Sequence, residues 1–196
     1  MFFSEPFGGL LPGARGAVLS VLLRTGEPLT GRQVHGLVRD EHSLWSVQEA
    51  LRVWVQLGIV ETRSVGRATL HSLNAAHAAI APLRVLADPV ALLIAAIGEH
   101  VDPSVQAVIL YGSIARGQAR QDSDVDLAVI ATSTWDQRAE MQDTVRSRLG
   151  NACDVLAFTA ARFRRLSASG EPVVADILRD GVALIGSMPR VRRGVA

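Results

Sequence analysis

VQAVILYGSIARGQARQDSDVDLAVI, the stretch Val105–Ile130, decides the fold of the second half of the chain. Its first part, Val105–Tyr111, is mostly apolar and rich in β-branched residues, and it ends at Gly112, which predicts a buried strand that meets a tight turn. Gly112 lets the backbone approach a ligand closely, and Ser113 adds a hydroxyl donor. Residues 114–117 are predicted to form the first turn of a helix, whose free N–H groups favour a phosphate.

The second part of the stretch alternates between polar and apolar residues, as a half-buried strand does. Asp124 and Asp126 fall on one face of this strand, and Val125 and Leu127 fall on the other. Two neighbouring carboxylates repel each other and resist dehydration, so an ordinary strand has no reason to carry them. A divalent cation supplies the reason, because Mg²⁺ is held by one or two carboxylates together with substrate phosphates. For Asp122 we favour a turn-capping role.

The spacing of these residues resembles the signature of a known superfamily. Gly112-Ser113, ten intervening residues and then Asp124-Val125-Asp126 look like the DNA polymerase β-type nucleotidyltransferases, and the strings GSIARG and SDVDL resemble their minimal nucleotidyltransferase (MNT) branch. That superfamily has a third carboxylate on a later strand, and Asp154 is the only acidic residue in the apolar run CDVLAF. The resemblance implies a catalytic and metal-binding triad of Asp124, Asp126 and Asp154. The alternative, in which these aspartates only cap turns at strand ends, stays open.

The resemblance also implies a reaction. The enzyme would transfer a nucleoside monophosphate, expected to be AMP from ATP although another nucleoside triphosphate is possible, and release pyrophosphate with the help of two Mg²⁺ ions. The predicted nucleotide-binding residues are Gly112, Ser113, Arg116 and Arg120, although Arg116 could equally brace the aspartate strand. Some members of the MNT branch are antitoxins that modify a partner toxin with AMP. A protein acceptor such as a HEPN-type toxin is therefore the preferred substrate, with a small molecule such as an aminoglycoside as the open alternative.

The first part of the chain predicts three helices and a β-hairpin. Val34 and Leu37 are expected to face inward from the second helix, and Val47, Leu51 and either Val55 or Trp54 from the third. The predicted elements are helices over Ala14–Leu23, from the cap Thr30 to Val38 and from the cap Ser43 to Leu57, then strands over 59–63 and 69–73 joined by residues 64–68. This layout resembles a bacterial winged helix-turn-helix domain.

If that resemblance holds, the third helix and the hairpin contact DNA, which would be an operator that the protein uses to regulate its own operon. The predicted DNA-binding residues are Ser46, Gln48, Arg52, Arg63 and Arg67. The charge balance is weak for this role, because residues 1–83 carry seven arginines against six acidic residues. A winged domain used for protein contact or dimerisation stays open, and Trp45 and Trp54 are expected in the core or in a dimer contact.

The expected fold is α+β, an N-terminal winged helix-turn-helix followed by a small mixed-sheet α/β nucleotidyltransferase domain. The boundaries are 1–74 for the DNA-binding domain, 75–88 for a connector within an alanine-rich helix over 74–86, and 89–196 for the nucleotidyltransferase domain. Pro89 suits the first turn of the next helix. Further helices are predicted over 135–149, 160–166 and 172–179, with strands over 153–158 and 182–185.

The composition of the chain limits the expected location and binding partners of the protein. The net charge of +1 gives no global attraction to nucleic acid, and a single cysteine, Cys153, fits a reducing cytosol. The start lacks the pattern of a signal peptide, and the longest apolar run, Val90–Ile97, is too short to span a bilayer, so a cytoplasmic protein without a membrane partner is expected. Residues 1–12 are either an arm that packs on a partner or a loosely ordered terminus. A homodimer is expected by analogy with winged regulators.

Two other function classes stay open at this point. In the first, the chain is a DNA-binding regulator whose C-terminal domain only senses nucleotide or mediates contacts. In the second it is an interaction module that binds neither metal nor nucleotide. The presence of all three candidate carboxylates favours catalysis over both.

Overall fold

The computed structural model describes residues 1–189 of the chain. Two compact units are present, one formed by Glu5–Pro89 and the other by Met1–Ser4 together with the chain from Val90 onward. Arg190, Arg192 and Arg193, near the end of the sequence, lie outside the described residues.

The first unit combines helices with a small antiparallel sheet of strand order β1-β3-β2. Its elements are α1 (Gly13–Thr25), β1 (Leu29–Thr30), α2 (Gly31–Val38), α3 (Leu44–Gln56), β2 (Val60–Val65), β3 (Ala68–Leu73) and α4 (Ile80–Leu86). Strand β1 was not predicted, because two residues carry no periodic pattern; its pairing with β3, Leu29 opposite His71, defines it.

Local capping explains where the helices of this unit begin and end. The Thr30 side chain accepts a hydrogen bond from the backbone N–H of Gln33, whose own side chain caps Thr30 in return. Ser43 caps α3 through the N–H of Ser46 at 3.2 Å. Gly26 ends α1 in the left-handed conformation, at φ +67°. The predicted caps Thr30 and Ser43 are confirmed, whereas α1 runs to Thr25, two residues beyond its predicted end at Leu23.

The core of the first unit is built from α1, α2 and α3 around Leu19, Val34 and Leu51. The predictions for Val34, Val47, Leu51 and Trp54 are confirmed, since all four are buried. The inward position predicted for Leu37 is wrong, because its side chain is 60% exposed. A core position for Trp45 is also wrong, since the side chain is 74% exposed. The single short helix α2 buries only the row that contains Val34, which leaves Leu37 outside that row.

The hairpin and the connector differ from their predicted limits. Strands β2 and β3 pair as far as Val65 and Ala68, so the loop is the two-residue turn Gly66-Arg67, with Gly66 at φ +59°. The connector is helical only from Ile80, because Asn74 forms a local turn: its side chain accepts from the N–H of Ala76 and donates to the carbonyl of Gly58.

The second unit is a four-stranded mixed sheet of order β6-β5-β4-β7. Its elements are α5 (Pro89–Ile97), β4 (Val105–Tyr111), α6 (Gly112–Ala115), β5 (Val125–Ala131), α7 (Arg138–Leu149), β6 (Cys153–Thr159), α8 (Ala160–Ala168), α9 (Pro172–Asp180) and β7 (Val182–Gly186). The pair β5–β6 is parallel, and β4 is antiparallel to both β5 and β7. This arrangement agrees with the predicted mixed α+β fold. The carboxyl end of β4 lies at the same end of the sheet as the amino ends of β5 and β6.

Helices cover both faces of this sheet. On one face Leu93 of α5 and Met141 and Val145 of α7 pack against the row that contains Val125 and Leu127. On the other face the core includes Phe163 of α8, Val174 and Ile177 of α9, and Ile109 and Ala128 of the sheet. Because helices cover both faces of the sheet, the polar side chains of its strands can reach solvent at the ends of the strands.

The first residues pack within the chain, which departs from both alternatives considered for this segment. The Met1 ammonium group donates to the carbonyl of Leu149 at 2.7 Å and to Oδ1 of Asn151 at 2.8 Å. Phe7 is fully buried in the core of the first unit. Apolar burial and these polar contacts therefore fix the segment.

Within residues 1–189, no helix is by itself long and apolar enough to cross a membrane. Two consecutive helical segments, Ile80–Leu86 and Pro89–His100, meet the length and composition test only when they are counted together.

Candidate active site

Strand pairing brings the carboxylates together at one end of the strands in the second unit's sheet. Asp126 on β5 stands opposite Tyr111, the last residue of β4, and opposite Asp154, the second residue of β6. Asp124 lies two residues before Asp126, where β5 begins, and its side chain and that of Asp154 are exposed. The parallel register of β5 and β6 is what places Asp154, 28 residues further along the chain than Asp126, next to it.

Gly112 is required by the position of the Asp126 carboxylate. Its φ of +73° lies in the left-handed region, and a Cβ atom at this position would collide with that carboxylate. The helical turn α6 starts at Gly112 itself, two residues earlier than predicted. The backbone of the turn and the carboxylate therefore touch directly, in the place where the sequence predicts a phosphate and a cation.

Ser123, which the sequence analysis did not single out, ties the turn to the aspartate strand. The hydroxyl of Ser113 donates to the hydroxyl of Ser123 at 3.2 Å, and the backbone N–H of Arg120 donates to the same oxygen at 2.8 Å. The buried Asn151 side chain donates to the carbonyl of Ser123 at 3.3 Å. Ser113 and Arg120 were predicted from the sequence, but Ser123 and Asn151 were not; of these two, only Ser123 had a signal, since it directly precedes Asp124 in the SDVDL string.

The two predicted arginines lie on the loop between the strands, and both are exposed. Arg116 follows α6; its Nε donates to Oε1 of Gln118 at 3.1 Å, and its Nη1 lies 3.9 Å from Oδ2 of Asp180. Arg120 contributes its backbone N–H to the Ser123 contact described above. The structure thus brings Arg116 to the turn and gives Arg120 a role in the shape of the loop.

The electrostatics of the site are those of crowded, partly buried acids. Burial raises the pKa of the Asp126 carboxyl, the negative charges of Asp154 and Asp124 raise it further, and Arg116 opposes this shift. Burial, followed by the charges of Asp126 and Asp154, raises the pKa of Tyr111 to about 12. Burial and the same acids raise the pKa of the Cys153 thiol to about 12. Negative charge thus accumulates at this end of the strands beyond what the nearby arginine compensates.

The donor set was compared with the needs of Mg²⁺. In the part of the chain that the structure describes, no three His, Cys, Asp or Glu side chains are already arranged to hold a metal ion. Mg²⁺ needs only one or two protein carboxylates when substrate phosphates complete its shell. Asp124 and Asp126 provide these oxygens, and a divalent cation would offset the repulsion that Asp154 and Asp124 exert on the half-buried Asp126 carboxylate. The residues therefore fit Mg²⁺ that arrives with a nucleotide.

The predicted DNA-binding residues lie in the first unit. Gln48 and Arg52 on α3 and Arg67 in the hairpin turn line a groove of about 740 Å³, which is also lined by Arg32 and His71. Ser46 is part of the α3 cap and Arg63 is exposed on β2; neither lines the groove. Arg52 is engaged within its own helix, since its Nη2 contacts both carboxylate oxygens of Glu49 at 2.6 Å.

Comparison with known families identifies the second unit. Residues 94–186 match the family model described as polymerase beta, nucleotidyltransferase. The chain carries a polymerase β-type nucleotidyltransferase domain. The matched range includes the Gly112–Ser113 turn and the aspartates of β5 and β6, and the predicted enzyme class, a nucleotidyltransferase, is confirmed. No curated protein matches the chain.

Solved structures with a likeness to this chain include toxin–antitoxin complexes. One is a toxin–antitoxin with AMP-PNP, at 22% identity over 51% of this chain and 75% of that chain, with a TM-score of 0.39. A second is a tri-AMPylated HEPN toxin of Shewanella oneidensis in complex with an MNT antitoxin, at 21% identity over 50% and 73% of the two chains and a TM-score of 0.33. A third is the MntA–HepT toxin–antitoxin, at 21% identity over 48% and 68%, with a TM-score of 0.33.

Proposed function

We propose that the nucleotidyltransferase domain transfers a nucleoside monophosphate, AMP from ATP, to a hydroxyl group in a Mg²⁺-dependent reaction. One observation carries the proposal: the Asp126 carboxylate rests on the backbone of the Gly112 turn, with Asp154 in register beside it. A phosphate site and a carboxylate pair therefore share one position. This is the arrangement needed to hold a triphosphate while its α-phosphorus is attacked.

Each residue has a distinct role in the proposed reaction. The Gly112 N–H and the Ser113 hydroxyl hold the β and γ phosphates, and Arg116 and Arg120 balance their charge. Asp124 and Asp126 would hold two Mg²⁺ ions, which would supply charge neutralisation at the attacking and leaving oxygens. Asp154 faces the acceptor hydroxyl and accepts its proton. The acceptor oxygen then forms a bond to the α-phosphorus, the bond from the α-phosphorus to the bridging oxygen breaks, and pyrophosphate leaves.

The proposed acceptor is a protein hydroxyl, on a Ser, Thr or Tyr side chain of a HEPN-type toxin. The resemblance of GSIARG and SDVDL to the MNT branch suggests this class of partner. The geometry supports a large acceptor, because Asp154 is exposed and β6 is an edge strand of the sheet. A small hydroxyl compound such as an aminoglycoside is the alternative acceptor, and a direct transfer assay separates the two.

Thermal unfolding with Mg²⁺ and ATP tests the nucleotide site. Ligand at about 100 times its Kd stabilises a folded protein by about 2.7 kcal/mol, so the wild type is expected to melt at a clearly higher temperature with Mg-ATP. The Asp124→Ala/Asp126→Ala variant is expected to lose that stabilisation. Parallel scans with GTP, CTP and UTP establish the base preference. If no nucleoside triphosphate stabilises the wild type, the proposed function is wrong.

Transfer is then measured with ATP labelled on its α-phosphate, incubated with the wild type and a candidate toxin or an aminoglycoside. Label on the toxin after denaturation supports a protein acceptor. Stabilisation by Mg-ATP without transfer to either acceptor would favour the competing function, a regulator whose C-terminal domain only senses nucleotide. Neither stabilisation nor transfer would favour an interaction module.

We further propose that residues 1–74 are a winged helix-turn-helix domain that binds the protein's own operator, with 75–88 as connector and 89–196 as the catalytic domain. Three helices followed by the β2–β3 hairpin support this assignment. The groove between α3 and the hairpin is lined by Arg32, Arg52 and Arg67, and such cations suit DNA phosphates. Exposed Trp45 is consistent with a homodimer contact, and a cytoplasmic location completes the proposal.

An Arg67→Gln substitution tests the DNA contact. Arg52 is held by Glu49, whereas Arg67 lines the groove from the exposed hairpin turn. The variant is expected to bind operator DNA more weakly and to lower the slope of log affinity against log salt by about 1. Arg24→Gln, which removes the same charge from an exposed position on α1 outside the groove lining, is the control. Equal binding by both variants and the wild type would remove Arg67 from the interface.

A further inference from the structure

Asp180, at the end of α9, lies beside the turn α6 and has no role in the reaction proposed above. Its Oδ2 is 3.9 Å from Nη1 of Arg116, the residue that follows the GSIA turn. Helix α9 also packs against the turn itself. The second unit thus brings an acidic residue from a late helix to the arginine of the GSIARG string.

Arg179 holds the carboxylate of Asp180 through three hydrogen bonds. Nε of Arg179 donates to both of its oxygens, at 3.1 and 3.2 Å, and Nη2 of Arg179 donates to Oδ2 at 2.9 Å. The same Nη2 reaches Asp176, one helical turn earlier, at 2.7 Å. Asp180 therefore presents a fixed negative charge to Arg116.

The backbone at Asp180 is anchored just as firmly. The N–H of Gly181 donates to the carbonyl of Ile177 at 3.0 Å and closes α9. A Cβ atom at Gly181 would collide with that carbonyl and would lie 2.8 Å from Cγ2 of Ile109 on β4. Since β4 leads directly into Gly112, Asp180 and the turn are fixed to the same strand.

The distance decides what this contact does. Strong charge-assisted hydrogen bonds are about 2.7–2.9 Å long. The distance between Asp180 and Arg116 is 3.9 Å, so Asp180 attracts the guanidinium without holding it in one conformation. Exposed ion pairs contribute little to folding stability. Their effect on a long side chain is different, because an arginine held near its target loses less conformational freedom when the ligand binds.

We propose that Asp180 is a positioning residue, which holds Arg116 beside the Gly112–Ser113 turn so that its guanidinium meets the phosphates of the incoming nucleoside triphosphate. The inference rests on the proposed function and deepens it, because it makes α9 part of nucleotide binding. Asp180 itself touches neither the nucleotide nor the acceptor.

The test uses the full chain with Mg-ATP and measures Kd, KM and kcat. Asp180→Asn is expected to raise Kd and KM by about three- to tenfold, the scale of ordering one flexible side chain, while kcat stays within about twofold. Arg116→Gln is expected to raise KM in the same way. The double variant is expected to show no further increase, because Asp180 acts only through Arg116. Asp180→Glu, which keeps the charge, is expected to restore most of the affinity.

Asp143→Asn is the matched control, because it removes the same charge from an exposed position on α7, outside the residues of the proposed site. It is expected to leave Kd and KM unchanged. An Asp180→Asn variant with wild-type Kd, or one whose effect adds fully to that of Arg116→Gln, would overturn the inference while the proposed function stands. A wild type that neither binds nor turns over Mg-ATP would overturn both. A fall in melting temperature that accounts for the change in Kd would assign Asp180 a structural role instead.

Discussion

An Asp126→Asn variant is expected to lose nucleotidyl transfer by more than about a hundredfold, the scale observed when a single preorganised electrostatic contact is removed from an active site. Asp126 is the carboxylate in contact with the Gly112 turn, and it stands between Tyr111 and Asp154 in the sheet. The amide keeps the shape of the side chain but cannot hold a cation by charge. Steady-state transfer with α-labelled ATP measures the loss.

The same variant is expected to be more stable than the wild type when Mg-nucleotide is absent. The folded pKa of Asp126 is raised above its unfolded value, first by burial and then by Asp154 and Asp124. Folding is therefore favoured by this group below its unfolded pKa of about 3.9, and that stability is lost as the pH rises through the folded pKa. The melting temperature of Asp126→Asn should exceed that of the wild type at pH 7, and the gap should close towards pH 4.

Mg-ATP is expected to reverse that order, since it stabilises the wild type and not the variant. Asp122→Asn is the control, because it removes a carboxylate from an exposed position of the same loop. It should change neither transfer nor the pH dependence of melting. Retained turnover in Asp126→Asn would remove Asp126 from the cation site. An unchanged melting temperature would show that the acids at this end of the strands do not repel each other as inferred.

A Gly112→Ala substitution is expected to abolish transfer and to lower stability by about 1–2 kcal/mol, the cost of a left-handed conformation for an L-residue, with the collision against Asp126 in addition. Gly112 has φ +73°, and the added Cβ would meet the Asp126 carboxylate. Either the turn or the carboxylate must then move. Denaturant unfolding and transfer rates measure the two effects.

Gly117→Ala separates backbone strain from the collision. Gly117 lies in the same loop at φ +66°, but nothing lies within 4 Å of a Cβ atom at this position. This variant should show the strain alone, with a stability loss on the same scale and most of the transfer activity retained. Equal loss of transfer in both variants would mean that the loop conformation, and not the contact between Gly112 and Asp126, sets the activity.

Local chemistry made several features predictable from the sequence. Strand β4 has the predicted limits Val105–Tyr111, because an apolar run that meets a glycine leaves few alternatives. Helices α2 and α3 begin after Thr30 and Ser43, because a side-chain oxygen caps the first N–H groups wherever the helix lies in the fold. The face of Asp126 was predictable in the same way, since a two-residue period sets the face of a strand, whereas Asp124, predicted on the strand, directly precedes β5.

Other predictions failed because they depend on what packs against an element. The amphipathic pattern of α2 did not reveal that Leu37 would be left 60% exposed, and Trp45 is exposed for the same reason. The two-residue strand β1 has no periodicity of its own and exists through its pairing with β3. The connector lost its first turn to side-chain hydrogen bonds of Asn74, which compete with a helix.

The sequence by itself determined the glycine turn and the Asp124–Asp126 pair, because these follow from neighbours along the chain, and the resemblance of these motifs to a known family implied the enzyme class. The tertiary structure alone decided which distant groups meet them. The parallel pairing of β5 with β6 brings Asp154 beside Asp126, Asn151 fixes Ser123, and the end of α9 brings Asp180 to Arg116. Strand register and helix packing set these contacts, and both depend on the burial of the two faces of the sheet, which no single segment of the chain specifies.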